Sequence, residues 1–275
     1  MRAGIIGGGM IGAGWARLLR AHGHEAVIYD ERPEHSEAAS VEAAVHRADV
    51  VFEAVVERLA AKCEVLKQIE AAARENALIA SASSSILPTL MQAGMSRPER
   101  FCVIHPLHPV DLLPVIEVVP GAVTAPAAVE RAAALVTALG KQPVILKQEV
   151  PGYVVNRLAG ALWREAINLV HAGVVDVAQV DLAASQGPCL GWAVQGPFLT
   201  YQLAAPGGLG PFMAHLAPAF TSIWASLAAW DRLPPGALER LSAAANQAYP
   251  PEQRGGLEAA RDRRLKAVLA ELQQA

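Results

Sequence analysis

At 275 residues, 53% of them hydrophobic, the chain is long enough to bury a sizeable core as one large or two modest domains. A formal net charge of −3 with no Lys/Arg block excludes the basic footprint of a nucleic-acid partner. No stretch of about 20 apolar residues suits a membrane span, the glycine-broken start MRAGIIGGGMIGAGWARLL does not suit a signal peptide, and Cys63, Cys102 and Cys189 form no C-x-x-C pair. The reading is a cytoplasmic chain with no membrane partner.

In chain order, β-type runs alternate with helical ones: AGII, MIGAGWARLLRAHG, EAVIYD, SVEAAVHRA, DVVFEAVV, LAAKCEVLKQIEAAARE, ALIAS and FCVIH. Such alternation predicts a doubly wound, Rossmann-type parallel sheet in an α/β fold. Pro114 to Val119 and Gln142 to Leu146 read as the last strands. Beyond Pro151-Gly152 the strands stop and Ala/Leu-rich helical periods take over, so residues 1–149 form the first expected domain and 150–275 an all-helical second one.

Gly7, Gly9 and Gly12 form G-x-G-x-x-G between the first strand and helix, and Asp30 ends the next strand. In that order they are a dinucleotide fingerprint. Gly7 makes the turn, Gly9 lets backbone approach a pyrophosphate, Gly12 permits close helix packing, and Met10 and Ile11 open the helix whose N-terminus favours the phosphate charge. Asp30 is expected to accept hydrogen bonds from the adenosine ribose and to repel a 2′-phosphate, which favours NAD. Arg32 complicates that preference, since an arginine so placed can hold such a phosphate or can simply be a solvated charge.

His105 lies at the C-terminal end of FCVIH, the edge where ligands bind in an open parallel sheet. Glu117 follows in a short apolar strand where a carboxylate needs a partner. Pairing them fixes the imidazole tautomer, raises its basicity, and leaves a base of the kind that alcohol oxidation requires. The H-x-x-H spacing of His105 and His108 lacks a second ligand set, so no metal is expected.

The chain resembles the NAD-dependent 3-hydroxyacyl-CoA dehydrogenase family through GGGMIGAGW, ADVVFEAVVERLAAK, ASASSSILP, RPERFCVIHPLHPVDLLPVIEVV and KQEVPGYVVNRLAGALWREAINLV, over nearly its whole length. GWAVQGPFLTYQLA and GLGPFMAHLAPAF are most similar to the branch containing L-carnitine dehydrogenase, L-gulonate 3-dehydrogenase and lambda-crystallin. The resemblance implies His105 as catalytic histidine with Glu117 as its carboxylate, Ser84 on the reacting oxygen, Asn156 holding substrate, and Glu57 and Lys62 along the nicotinamide ribose. It also implies a homodimer through the helical domain, where Trp192, Phe198, Phe212, Phe220 and Trp224 also fit an ordinary core.

Several positions depart from the family pattern. His108 stands where asparagine is usual, Ala82 replaces another asparagine, and Gly191 replaces a common arginine, the natural anchor of a free carboxylate. Between Asp30 and Asp49 there is room for one short helix only. The substrate thus stays open between a small 3-hydroxy acid and a 3-hydroxyacyl thioester, and His108 is expected to face the nicotinamide pocket and narrow the choice. A relative of the 3-hydroxyisobutyrate or 6-phosphogluconate dehydrogenases would need a lysine base in the helical half, which has none before Lys266. A non-catalytic, crystallin-like NAD-binding protein is the other alternative.

Overall fold

The computed structural model describes residues Met1–Leu272. The chain divides into two compact units, Met1–Leu158 and Ala159–Ala275.

The first unit is built on seven strands: β1 (Arg2–Ile6), β2 (Glu25–Tyr29), β3 (Val50–Glu53), β4 (Leu78–Ser81), β5 (Phe101–Pro106), β6 (Val115–Pro120) and β7 (Gln142–Ile145). They lie in the order β2-β1-β3-β4-β5-β6-β7. Helices α1 (Met10–Ala21), α2 (Val41–Val45), α3 (Leu59–Ala72), α4 (Pro88–Gln92) and α5 (Pro126–Ala138) connect them. Alternate strand residues point to opposite faces, so Ile5, Phe52, Ala80 and Ile104 join one core with Trp15 and Leu19 of α1 and Val136 of α5. Ile6, Val51, Ile79 and Val103 join the other core with Val45, Leu66, Ile69 and Met91. Trp15 stacks on Phe52 with ring centroids 4.3 Å apart. Helix α5, which the alternation of runs above does not include, starts with Pro126 at its first turn, where a missing N–H costs nothing.

The expected parallel sheet holds through β5 and then reverses. β6 runs antiparallel to β5, and β7 runs parallel to β6. The connection from β5 to β6 is residues 107–114, shorter than the dozen or so residues that a crossover needs, so the chain folds straight back. The reversal has a chemical result, because the register sets His105 directly opposite Glu117.

The second unit continues α6 (Val155–His171) and adds α7 (Val177–Gln186), α8 (Pro188–Leu203), α9 (Leu209–Ser226), α10 (Ala237–Ala248) and α11 (Arg254–Leu272). α8 is broken at Gly196, φ +71°, with Pro197 next. Tyr201, Phe212, Phe220 and Trp224 form a run of ring contacts between α8 and α9. Among the described residues of this unit only Ile167 and Ala237 are buried hydrophobics, while Trp163, Leu182, Val194, Phe198 and Leu203 stay exposed. No described helix is long and apolar enough to cross a membrane.

Candidate active site

The glycine turn sits at the C-terminal end of β1. Gly7 has φ +107°, and a Cβ there would stand 2.5 Å from the Ala54 carbonyl oxygen. A Cβ on Gly12 would stand 1.8 Å from the Gly7 carbonyl oxygen, so any side chain would push α1 off the strand. A Cβ on Gly9 would meet nothing within 4 Å, so the backbone there faces open space. α1 begins at Met10 with no side-chain cap and no acidic residue in its first turn. Its free N–H groups suit a phosphate, and this bare helix end over a clear approach fits a pyrophosphate.

A cleft of about 690 Å³ runs from this turn past Met10 and Ile11 to Asp30 and Arg32. Asp30 accepts hydrogen bonds from the Gly8 N–H at 2.6 Å, the Arg32 N–H at 2.9 Å, and Arg32 Nε and Nη2 at 2.9 and 3.2 Å. The Arg32 guanidinium above all holds the Asp30 carboxyl well below the usual carboxylate range.

A second cleft, of about 420 Å³, shares Ile11, Ala54 and Val55 with the first, and Glu57, Ser84, His105, His108 and Asn156 line it. His105 Nδ1 and Glu117 Oε2 are 2.7 Å apart, and the two side chains are 6% and 0% exposed. The other carboxylate oxygen of Glu117 accepts the N–H groups of Val154 at 2.8 Å and Val155 at 3.0 Å. Burial would raise the Glu117 carboxyl, but the bond from His105 and these two N–H groups lower it. With Glu117 ionised, the proton of the neutral ring lies on Nδ1, which leaves Nε2 as acceptor. Tyr153, buried and at φ +52°, lies against the His105 ring with centroids 5.5 Å apart and donates its hydroxyl to the Ile86 carbonyl at 2.7 Å. Such a φ is uncommon outside glycine and costs about 1–3 kcal/mol; here it accompanies the turn that aims Val154 and Val155 at Glu117.

Glu57, at the mouth of this cleft, is tied into a closed ring. Its Oε1 accepts from Ser83 Oγ at 2.7 Å and from the N–H groups of Ser84 and Ser85, each at 3.0 Å. Its Oε2 faces Lys62 Nζ at 3.3 Å. Lys62 donates to Glu53 Oε1 at 2.9 Å, Ser81 Oγ donates to Glu53 Oε2 at 2.5 Å, and the Ser83 N–H closes the circuit on Ser81 Oγ at 3.1 Å. Burial would raise the Glu57 carboxyl, but Ser83 and the charge of Lys62 bring it down to about 2. Asn156 Nδ2 donates to the Ser84 carbonyl at 2.9 Å, which places its amide beside the serine turn with one N–H to spare.

The structure therefore brings Ser84, His105, Asn156 and Glu57 to one cleft and Gly7, Gly9, Met10 and Asp30 to the adjoining one, with Ile11 in both. Gly12 lies beneath the turn and Glu117 behind His105. Lys62 is 1% exposed, so its charge acts through Glu53 and Glu57. Sequence reasoning missed Glu53, Ser81 and Tyr153. Glu53 carried the signal that marked Glu117, a carboxylate closing the apolar run VVFE.

Comparison with known proteins gives a consistent result. Family models described as "3-hydroxyacyl-CoA dehydrogenase, NAD binding domain" and "3-hydroxyacyl-CoA dehydrogenase, C-terminal domain" match residues 35–150 and 152–232. The first match begins after the glycine turn, inside the short segment that follows Asp30. The chain is 37% identical to the L-carnitine dehydrogenase of Pseudomonas putida, over 82% of this chain and 79% of that protein. Among solved structures, 5-formyl-3-hydroxy-2-methylpyridine 4-carboxylic acid 5-dehydrogenase, an NAD+ dependent dismutase, superposes with a TM-score of 0.88 at 31% identity, covering 99% of this chain and 98% of that one. The (S)-3-hydroxybutyryl-CoA dehydrogenase of Ralstonia eutropha gives 0.63 at 25% identity, covering 80% and 88%.

Proposed function

This chain belongs to the 3-hydroxyacyl-CoA dehydrogenase family, and from that premise we propose how its residues divide the work of an NAD-dependent oxidoreductase acting on a CH–OH group. His105 is the base that takes the hydroxyl proton at Nε2. Glu117 holds the ring by Nδ1 and stabilises the imidazolium that forms. Ser84, through its hydroxyl, and Asn156, through its second amide N–H, donate to the oxygen that becomes a carbonyl. NAD, when bound, supplies the hydride acceptor. Gly7, Gly9, Gly12, Met10 and Ile11 form the seat of its pyrophosphate and Asp30 that of its adenosine ribose, while Glu57, set by Lys62, borders the nicotinamide ribose. The observation that carries this reading is the buried His105–Glu117 pair at 2.7 Å, opening on a cleft contiguous with the glycine turn.

Within that activity we infer that the substrate is a small free acid rather than a thioester. The likeness to the dehydrogenase of a pyridine aldehyde-acid extends over almost the whole of both chains, while the 3-hydroxybutyryl-CoA enzyme superposes less closely and over less of the chain. The relatives named for L-carnitine point the same way. The first unit is the cofactor domain. The helical unit is the dimerisation domain in this reading, supported by its exposed Leu182, Val194, Phe198 and Trp224; the mass of the protein in solution checks this.

An NAD-reduction assay with L-carnitine, L-3-hydroxybutyrate, L-3-hydroxybutyryl-CoA and the pyridine acid, run beside His105→Ala, tests the assignment. Turnover of a free acid is expected, with a loss of about 10²- to 10⁴-fold in the variant. Turnover of the thioester alone would overturn the substrate class, and equal rates in the variant would overturn the base.

A further inference from the structure

We propose that Arg32 is a specificity-determining residue of the cofactor cleft, one that admits an adenosine ribose carrying a 2′-phosphate alongside the unphosphorylated ribose. The proposal rests on the assignment of Asp30 to that ribose. An ionised carboxylate offers roughly four acceptor positions. At Asp30 four donors meet them: the Gly8 N–H, the Arg32 N–H, and Arg32 Nε and Nη2. Arg32 supplies three of the four, so a ribose diol can engage the carboxylate fully only by displacing the guanidinium.

The pair also cancels the charge on which discrimination depends. A lone aspartate at this strand end repels a 2′-phosphate, but here a cation lies 2.9 Å from the carboxylate. The Asp30 side chain is 10% exposed and that of Arg32 is 56% exposed, so the carboxylate is enclosed while the guanidinium faces the solvent side of the cleft. Arg32 lines the same cleft as Gly9, Met10 and Asp30. Its planar fork matches phosphate oxygens two at a time. Arg58 adds a second cation to the cleft wall, and Glu31 and Glu64 oppose it as anions. The arginine therefore acts in both directions, as a competitor of the ribose hydroxyls for Asp30 and as a receptor for a phosphate beside them.

Those two actions give opposite signs on removal. Binding of NADH and of NADPH to the purified full chain is followed by nicotinamide fluorescence, in wild type and in Arg32→Ala. A charge-assisted contact of the usual strength corresponds to about tenfold or more in affinity. Wild type is expected to bind NADPH within about tenfold of NADH, and the variant to bind NADPH at least about tenfold more weakly while NADH tightens. Wild type that ignores NADPH, or a variant in which both coenzymes weaken alike, overturns the proposal. Asp30→Asn gives an independent arm: it keeps the side-chain shape, leaves the Arg32 cation without its counter-charge and should improve NADPH relative to NADH, and an unchanged ratio counts against the charge argument. Failure of NADH itself to bind wild type would sink the cofactor assignment, which is a different result from loss of the NADPH effect alone.

Discussion

At the Asp30 end of the cleft the ion pair is Asp30 with Arg32, whose side chain is 56% exposed; at the His105 end it is Glu53 with Lys62, 0% and 1% exposed. In the first pair the guanidinium faces water, while the carboxylate is nearly enclosed and also accepts the Gly8 N–H. The second is enclosed and held from three stretches of chain, the end of β3 with the residues after it, the first turn of α3 and the end of β4. Exposed pairs contribute about 0–1 kcal/mol. Breaking a buried pair leaves a bare charge and costs several times more. The contrast is between a pair enclosed beside the His105 cleft and a pair whose cation faces solvent at the Asp30 end.

The largest expected effect lies in the buried half. Glu117→Gln keeps the shape but can offer an N–H to Nδ1 and so reverse the tautomer; kcat should fall by about 10²- to 10⁴-fold with NADH affinity little changed. Steady-state kinetics and a fluorescence titration on the same preparation check both halves of that statement. Next, Glu53→Ala removes the nearest carboxylate from buried Lys62, leaving it the longer contact to Glu57, and should cost up to about 3–5 kcal/mol in urea unfolding, whereas a cost under about 1 kcal/mol would mean that the His105 end is held no more firmly than the other.

A smaller, pH-dependent effect follows from Glu57. Its carboxyl is lowered from 4.5 to about 2, so the stability it adds is complete above pH 4.5 and disappears as the pH falls from there towards 2. Glu57→Gln should therefore unfold more easily than wild type at neutral pH, with the gap closing across that window; an equal gap at pH 7 and pH 3 would show that charge is not what holds the serine turn. The smallest effect belongs to the open end, where Arg32→Ala should leave the urea midpoint close to that of wild type whatever it does to coenzyme choice.

Sequence reasoning located most of the fold and both ends of the cleft, for physical reasons that differ by residue. The glycine turn and Asp30 were legible because a tight turn and a close helix approach leave few residue types to choose from. His105 and Glu117 were legible because polar groups in apolar strands demand partners. The reversal at β6 was missed, although the short link between β5 and β6 contains it. The role of residues 153–155 could not be found in that way: their N–H groups are what hold Glu117, and backbone donors leave no mark on residue identity. For Lys62 the resemblance implied only a place along the nicotinamide ribose, and only the three-dimensional arrangement shows it to be enclosed.

The hairpin of β5 and β6 also bears on how the site assembles. His105 and Glu117 are 12 residues apart, while the tie from Asn156 to Ser84 spans 72. Closing the longer span costs about 1.6 kcal/mol more in chain entropy. The His105–Glu117 pair is thus a local product of folding, obtained when two adjacent strands zip together, and the Ser84–Asn156 tie is a global one, obtained only when the start of α6 has found the serine turn.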